Sequence, residues 1–221
     1  RLSLVGSEMC IRDRKKSLFL IGIVLLLDQC SKFYIKLNFP LSVYSSDAII
    51  DWGWFRLIFI ENKGMAWGTR FSDFIPFISD DTGKLLLSLI RIVAVSVIGY
   101  MLWDAIKKQQ HKLLLFSGCL IFAGALGNII DSLFYGLLFS NSYGQVASLF
   151  PDGGGYAPLF FGHVVDMLQF PMFTWVWPSW MPWIGGQSFT FFEPVFNLAD
   201  TAISTGVGII LVFNKRIFPK N

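Results

Sequence analysis

Four apolar stretches along the chain approach the length of a membrane span, about residues 17–37, 85–105, 113–135 and 195–213. A helix crossing the hydrocarbon core needs about 20 apolar residues, so each is predicted to be a transmembrane helix. The first continues from Ser17–Leu27 through Asp28-Gln29-Cys30-Ser31-Lys32 with no small-x-small cleavage pattern, and it reads as a retained helix and not a removed leader. Two long connections, 38–84 and 136–194, separate the spans. In the first, Ile49–Ile60 is rich in branched and aromatic residues and is followed by Asn62 and Gly64, which suit a tight turn; a small sheet is predicted there. In the second, Ser140–Tyr156 is rich in Gly and Ser and is predicted to be mobile. Phe170–Trp183 carries Trp175, Trp177, Trp180 and Trp183 and reads as a surface-lying loop at headgroup depth. The expected fold is an all-α polytopic membrane protein of four transmembrane helices with a small β-like cradle on one side.

Composition agrees with that pattern. Hydrophobic residues make up 54% of the chain and charged residues 15%, and the mean hydropathy is +0.57, well outside the balance of a soluble domain. The net charge of +3 is small and the basic residues gather at helix ends, which argues against nucleic acid as a partner. Lys15-Lys16, the connection Lys107–Lys112, and Lys215-Arg216 with Lys220 place both termini in the cytoplasm and the two long connections on the outer side. The first fourteen residues, RLSLVGSEMCIRDR, continue no pattern found later and read as a non-native segment. The expected organisation is one membrane domain over 15–216 with a cytoplasmic tail at 217–221. Cys30 and Cys119 both fall in predicted spans without zinc-like spacing, and read as small buried hydrophobes.

Between Leu113 and Asn214 there is no lysine or arginine, yet this stretch holds Asp131, Asp166 and Asp200 in apolar surroundings. Carboxylates in such a setting are costly unless they perform chemistry. Two neighbouring carboxylates cannot easily both ionise, so one keeps a proton, and the pair can hydrolyse an amide without metal or covalent intermediate. All three fall on the predicted outer side, and any two of them can meet. Other mechanisms fare worse. There is neither HExxH nor GxSxG, and His163 reads as a hydrogen-bonding residue; Ser31 and Lys32, adjacent on a helix, do not face one another. No metal or cofactor is expected.

The runs Asp28–Lys32, Glu61–Gly68, Gly124–Asp131, Gly162–Asp166 and Phe196–Ala202, in this order and membrane setting, resemble the bacterial lipoprotein signal peptidases, or signal peptidase II. The resemblance covers nearly everything from Lys16 to Arg216. It implies a monomeric aspartyl peptidase of the bacterial inner membrane that cuts prolipoproteins just before a diacylglyceryl-modified cysteine, with lipid as its surroundings. It further implies Asp166 and Asp200 as the catalytic pair, Asn62 and Gly64 on the substrate side, and Asn128, Asp131, Asn197, Ala199, Asp28 and Lys32 supporting the site. The choice of Asp166 over Asp131 comes from the resemblance alone. Two departures stand out. Many family members carry arginine after the third-helix aspartate, where this chain has Ser132, and the segments on either side of Asp166 are enlarged. The rival classes are a small proton-coupled transporter using membrane acids as a relay, and a non-catalytic membrane scaffold.

Overall fold

The computed structural model describes residues 2–42, 47–63 and 78–219, with side chains from residue 11 onward. In chain order the helices are α1 (Leu2–Asn38), α2 (Asp80–Lys107), α3 (Lys112–Ile130), α4 (Leu198–Val212) and the short α5 (Asn214–Ile217). The strands are β1 (Ile50–Asp51), β2 (Arg56–Asn62), β3 (Val164–Gln169), β4 (Phe173–Val176), β5 (Ser188–Phe191) and β6 (Val195–Phe196). Gly64 lies outside the described residues.

Among the described residues three helices are long and apolar enough to cross a membrane: Ile11–Asn38 within α1, Asp80–Lys107, and Lys112–Leu138, which extends α3. Their outward faces carry Leu18, Phe19, Leu26, Leu89, Val93 and Phe116, the arrangement expected of lipid-facing surface. The expectation of a fourth equal span is corrected. Val195 and Phe196 pair with β3 instead of starting a helix, Asn197 caps α4, and the helix covers 15 residues before Phe213 ends it. At 1.5 Å per residue that is about 22 Å, short of the hydrocarbon thickness. The all-α expectation is corrected as well. β1, β2, β3 and β6 form one antiparallel sheet in that order, and β4 and β5 form a separate hairpin.

Tight helix packing explains the small residues of the third helix. A side chain at Gly124 would run into the backbone oxygen of Ala199, and one at Gly127 would come within 2.6 Å of Asp28 Oδ2. Glycine at these two positions lets α3 approach both α4 and α1 closely. The main apolar core then forms where α1 and the end of α3 meet the sheet, from Ile35, Phe59, Tyr135, Phe139, Val165 and Met167.

The second long connection carries more local structure than expected. Ser140–Tyr156 is tied down by the bridges Pro40↔Val146 and Phe139↔Leu149 and by the fully buried Ser142. The aromatic stretch is a hairpin, not a loop, with Phe173 stacked on Phe191 and Trp175 packed against Phe189. Trp180 and Trp183 at its tip stay exposed. Cys119 is buried as expected, whereas Cys30 is exposed.

Candidate active site

Asp166 sits in the middle of β3, opposite Ile60 of β2. Residues two apart share a face of a strand, so Asn62 is its diagonal neighbour on that face. Asn62 Nδ2 accordingly donates to Asp166 Oδ2 at 3.3 Å. Asp200 enters from the first turn of α4. It forms a reciprocal cap with Asn197, whose Oδ1 accepts from Asp200 N at 2.9 Å while Asp200 Oδ2 accepts from Asn197 N at 3.3 Å. The same Asn197 donates from Nδ2 to Asp166 Oδ1 at 2.8 Å. One fully buried residue therefore holds both carboxylates, Asp166 through its side-chain amide and Asp200 through its backbone N–H. Asn128 of α3 completes the frame by donating to Asp200 Oδ1 at 2.7 Å.

Asp131 has a different environment. Lys32 of α1, fully buried, lies 2.7 Å from Asp131 Oδ2 and 2.9 Å from Asp28 Oδ2, and donates to Asn128 Oδ1 at 3.1 Å. Gln29 donates to Asp131 Oδ1 at 3.0 Å and Val165 N to Oδ2 at 3.3 Å. Asp28 in turn accepts from Ala199 N at 2.9 Å. The absence of lysine and arginine from 113–214 thus does not leave Asp131 without a basic partner, because α1 delivers one. A π-helical turn over Asp131–Tyr135 turns both Asp131 and Ser132 inward, each fully buried; such wide turns commonly mark functional places in helices.

The two environments have different chemical capacities. Burial first, and then the negative charge of Asp200, push Asp166 up to about 7, against the weaker pull of the Asn62 and Asn197 hydrogen bonds and of Lys32. Asp166 can hold a proton near neutral pH and release it. A cleft of about 990 Å³ opens beside it, lined among others by Asn62, Gln169, Phe189, Phe191 and Val195. Such a volume accommodates a short extended peptide segment. The second strand of the aromatic hairpin therefore forms one wall of this cleft.

A second buried polar cluster was not foreseen. Lys36 of α1 pairs with Glu61 of β2 and donates to Ser142 at 2.9 Å, and His163 Nδ1 lies 2.9 Å from the other Glu61 oxygen. Burial acts to raise Glu61, but its hydrogen bond to His163 and the Lys36 charge outweigh it and hold Glu61 at about 2. This cluster ties α1, the sheet and the 139–163 segment together. Its members were within sight in the sequence, Glu61 and His163 inside quoted motifs, yet nothing in spacing said that they meet. Among the described residues no group of three or more His, Cys, Asp or Glu is placed to hold a metal ion.

A family model described as signal peptidase (SPase) II matches residues 20–215. The chain belongs to the signal peptidase II family. The lipoprotein signal peptidase of Porphyromonas gingivalis is 46% identical over 199 residues, covering 89% of this chain and 81% of that protein. That of Amoebophilus asiaticus is 38% identical over 200 residues, covering 88% and 76%. In fold, the chain is similar to a bacterial membrane enzyme solved at 1.9 Å by the in meso method, with a TM-score of 0.55 at 21% identity, covering 90% of this chain and 91% of that one. The chain is thus a membrane peptidase of the aspartic type, with three long apolar helices and a small sheet region.

Proposed function

We propose that this signal peptidase II family member removes signal peptides from diacylglyceryl-modified prolipoproteins, cutting just before the lipidated cysteine, with Asp166 and Asp200 as the reacting pair. The observation that carries this reading is that Asn197 holds two carboxylates, Asp166 by its side-chain amide and Asp200 by its backbone N–H, with Asp166 pushed to about 7 at the edge of a peptide-sized cleft. Asp200 takes a proton from the attacking water as its oxygen adds to the scissile carbonyl carbon, and protonated Asp166 gives its proton to the carbonyl oxygen. Collapse of the resulting diol breaks the C–N bond, and the leaving nitrogen is protonated at the expense of the proton on Asp200. Asn62 projects into the cleft beside Asp166 and orients the substrate, with Gly64 following it. Asn128, Asp131, Asp28, Lys32 and Ala199 hold the frame.

In the membrane, α4 followed by α5 makes the fourth crossing, both termini face the cytoplasm, and the sheet and cleft face the periplasm. The lysines and arginines at the ends of α1, α2, α3 and α5 support this orientation. The diacylglyceryl chains stay in lipid while the peptide docks beside β2 and β5. All groups of the pair and its frame come from one chain, so a monomer suffices. The test is mobility-shift cleavage of a diacylglyceryl-modified prolipoprotein in detergent or lipid by wild type, Asp166→Asn and Asp200→Asn. Cleavage by wild type alone supports the reading, and wild-type rates in either variant overturn it.

A further inference from the structure

Arg91 lies in the middle of α2, a membrane-length helix, where a guanidinium costs several kcal/mol unless it meets acceptors. Its Nη1 donates to Ser132 Oγ at 2.9 Å, and its charge is felt first by Asp200, then by Asp166 and Asp131. From Ser132 the chain of contacts continues inward. Ser132 Oγ donates to Asn128 O at 3.1 Å, and Asn128 Nδ2 donates to Asp200 Oδ1 at 2.7 Å. Ser132 is fully buried on the π-helical turn beside Asp131. The position where a cation was expected from the resemblance is therefore filled by a hydroxyl that receives a cation from another helix.

The charge balance gives this contact its significance. Asp28, Asp131, Asp166 and Asp200 converge, and among the described residues Lys32 and Arg91 are cations acting on them. Lys36 also acts on Asp131 but is paired with Glu61. Without Arg91 the main remaining cation among the described residues is Lys32, which is already engaged by Asp28 and Asp131. Lys84, on the same face of α2 two turns away, acts on Arg91, and its buried Nζ has no hydrogen-bond partner among the described residues. On β2 stands Glu61, paired with Lys36 and His163.

We propose that Arg91 is a positioning residue for the Asp166–Asp200 pair: through Ser132 and Asn128 it fixes Asp200 as the water-activating base and holds a positive charge beside the pair. The proposal rests on the dyad reading above. It makes the cation at this site a matter of place, not of which helix carries it.

The experiment is a pH–rate profile of prolipoprotein cleavage for wild type, Arg91→Met, Arg91→Lys and the transplant Arg91→Ala with Ser132→Arg. Removing a cation disfavours every ionised state of the pair. Arg91→Met is expected to lower kcat at least tenfold with little change in KM and to move both limbs of the profile about 1 unit toward higher pH, the low end of the effect of an opposite charge nearby. Arg91→Lys keeps the limbs near their wild-type positions, and the transplant returns them there, because guanidinium at 132 occupies the space that Arg91 now fills. A purely structural role predicts lower yield of folded enzyme with unshifted limbs. Unshifted limbs in Arg91→Met overturn the proposal. Should Arg91→Met fail to fold, a folded transplant whose limbs stay displaced overturns it equally. Asp166→Asn and Asp200→Asn, assayed alongside, separate this outcome from failure of the dyad itself: if either cleaves, the dyad reading falls first.

Discussion

Asp131 and Asp166 occupy similarly apolar places, and the structure treats them in opposite ways. Asp131 is fully buried and clamped between Lys32, Gln29 and a backbone amide. Asp166 is held only by amide donors, faces another carboxylate, and opens onto a cleft. An ammonium partner ties a buried carboxylate into an ion pair that anchors two elements and makes it a structural post. Neutral amide donors fix its position while leaving its proton exchangeable. In this fold a carboxylate's partner, more than its burial, separates scaffold from chemistry.

The largest effect that can break this contrast is on turnover. Asp166→Asn and Asp200→Asn are expected to lower cleavage by about 10³-fold or more, since each removes a proton-transfer group, while detergent melting stays near wild type. Next is stability at the ion-pair layer. Lys32→Met leaves Asp28 and Asp131 buried without their cation and is expected to cost about 3–5 kcal/mol, read as a large drop in the thermal midpoint.

Asn197→Ala joins the two regions. It removes the cap of α4, worth about 1 kcal/mol, and the side-chain donor that holds Asp166, so the rate per folded molecule should fall far more than stability does. The smallest expected effect is on pH dependence. Asp166 acts as an acid, so activity should decline as pH rises through about 7. The Asn62 hydrogen bond pulls Asp166 downward; Asn62→Ala should therefore move this alkaline limb upward by less than about 1 unit, with a modest loss of rate.

Much of this was legible from hydrophobic patterning. Three long spans and the strand-forming run around Arg56–Asn62 follow from segment length and residue type. The fourth helix was misjudged because Val195 and Phe196 are as apolar as any helix residue and only their pairing with Leu168 and Gln169 reveals a strand. The hairpin was missed for a related reason: prolines and tryptophans near Trp177 masked two four-residue strands whose pairing is set by contacts across a gap of more than ten residues. At the site, the residues were visible but their partners were not. Asp131 looked unpaired because Lys32 lies 99 positions away in sequence, and Arg91 drew no notice because Ser132, its partner, carries no charge. Distance along the chain hides ion pairs, whereas capping boxes such as Asn197–Asp200 are local and readable.

The most direct test of the central contrast is to measure cleavage per folded molecule together with the thermal midpoint for Asp131→Asn beside Asp166→Asn. The predicted result is a folded but inactive Asp166→Asn and a less stable Asp131→Asn that still cleaves. An inactive Asp131→Asn as stable as wild type, with cleavage retained in Asp166→Asn, would contradict it.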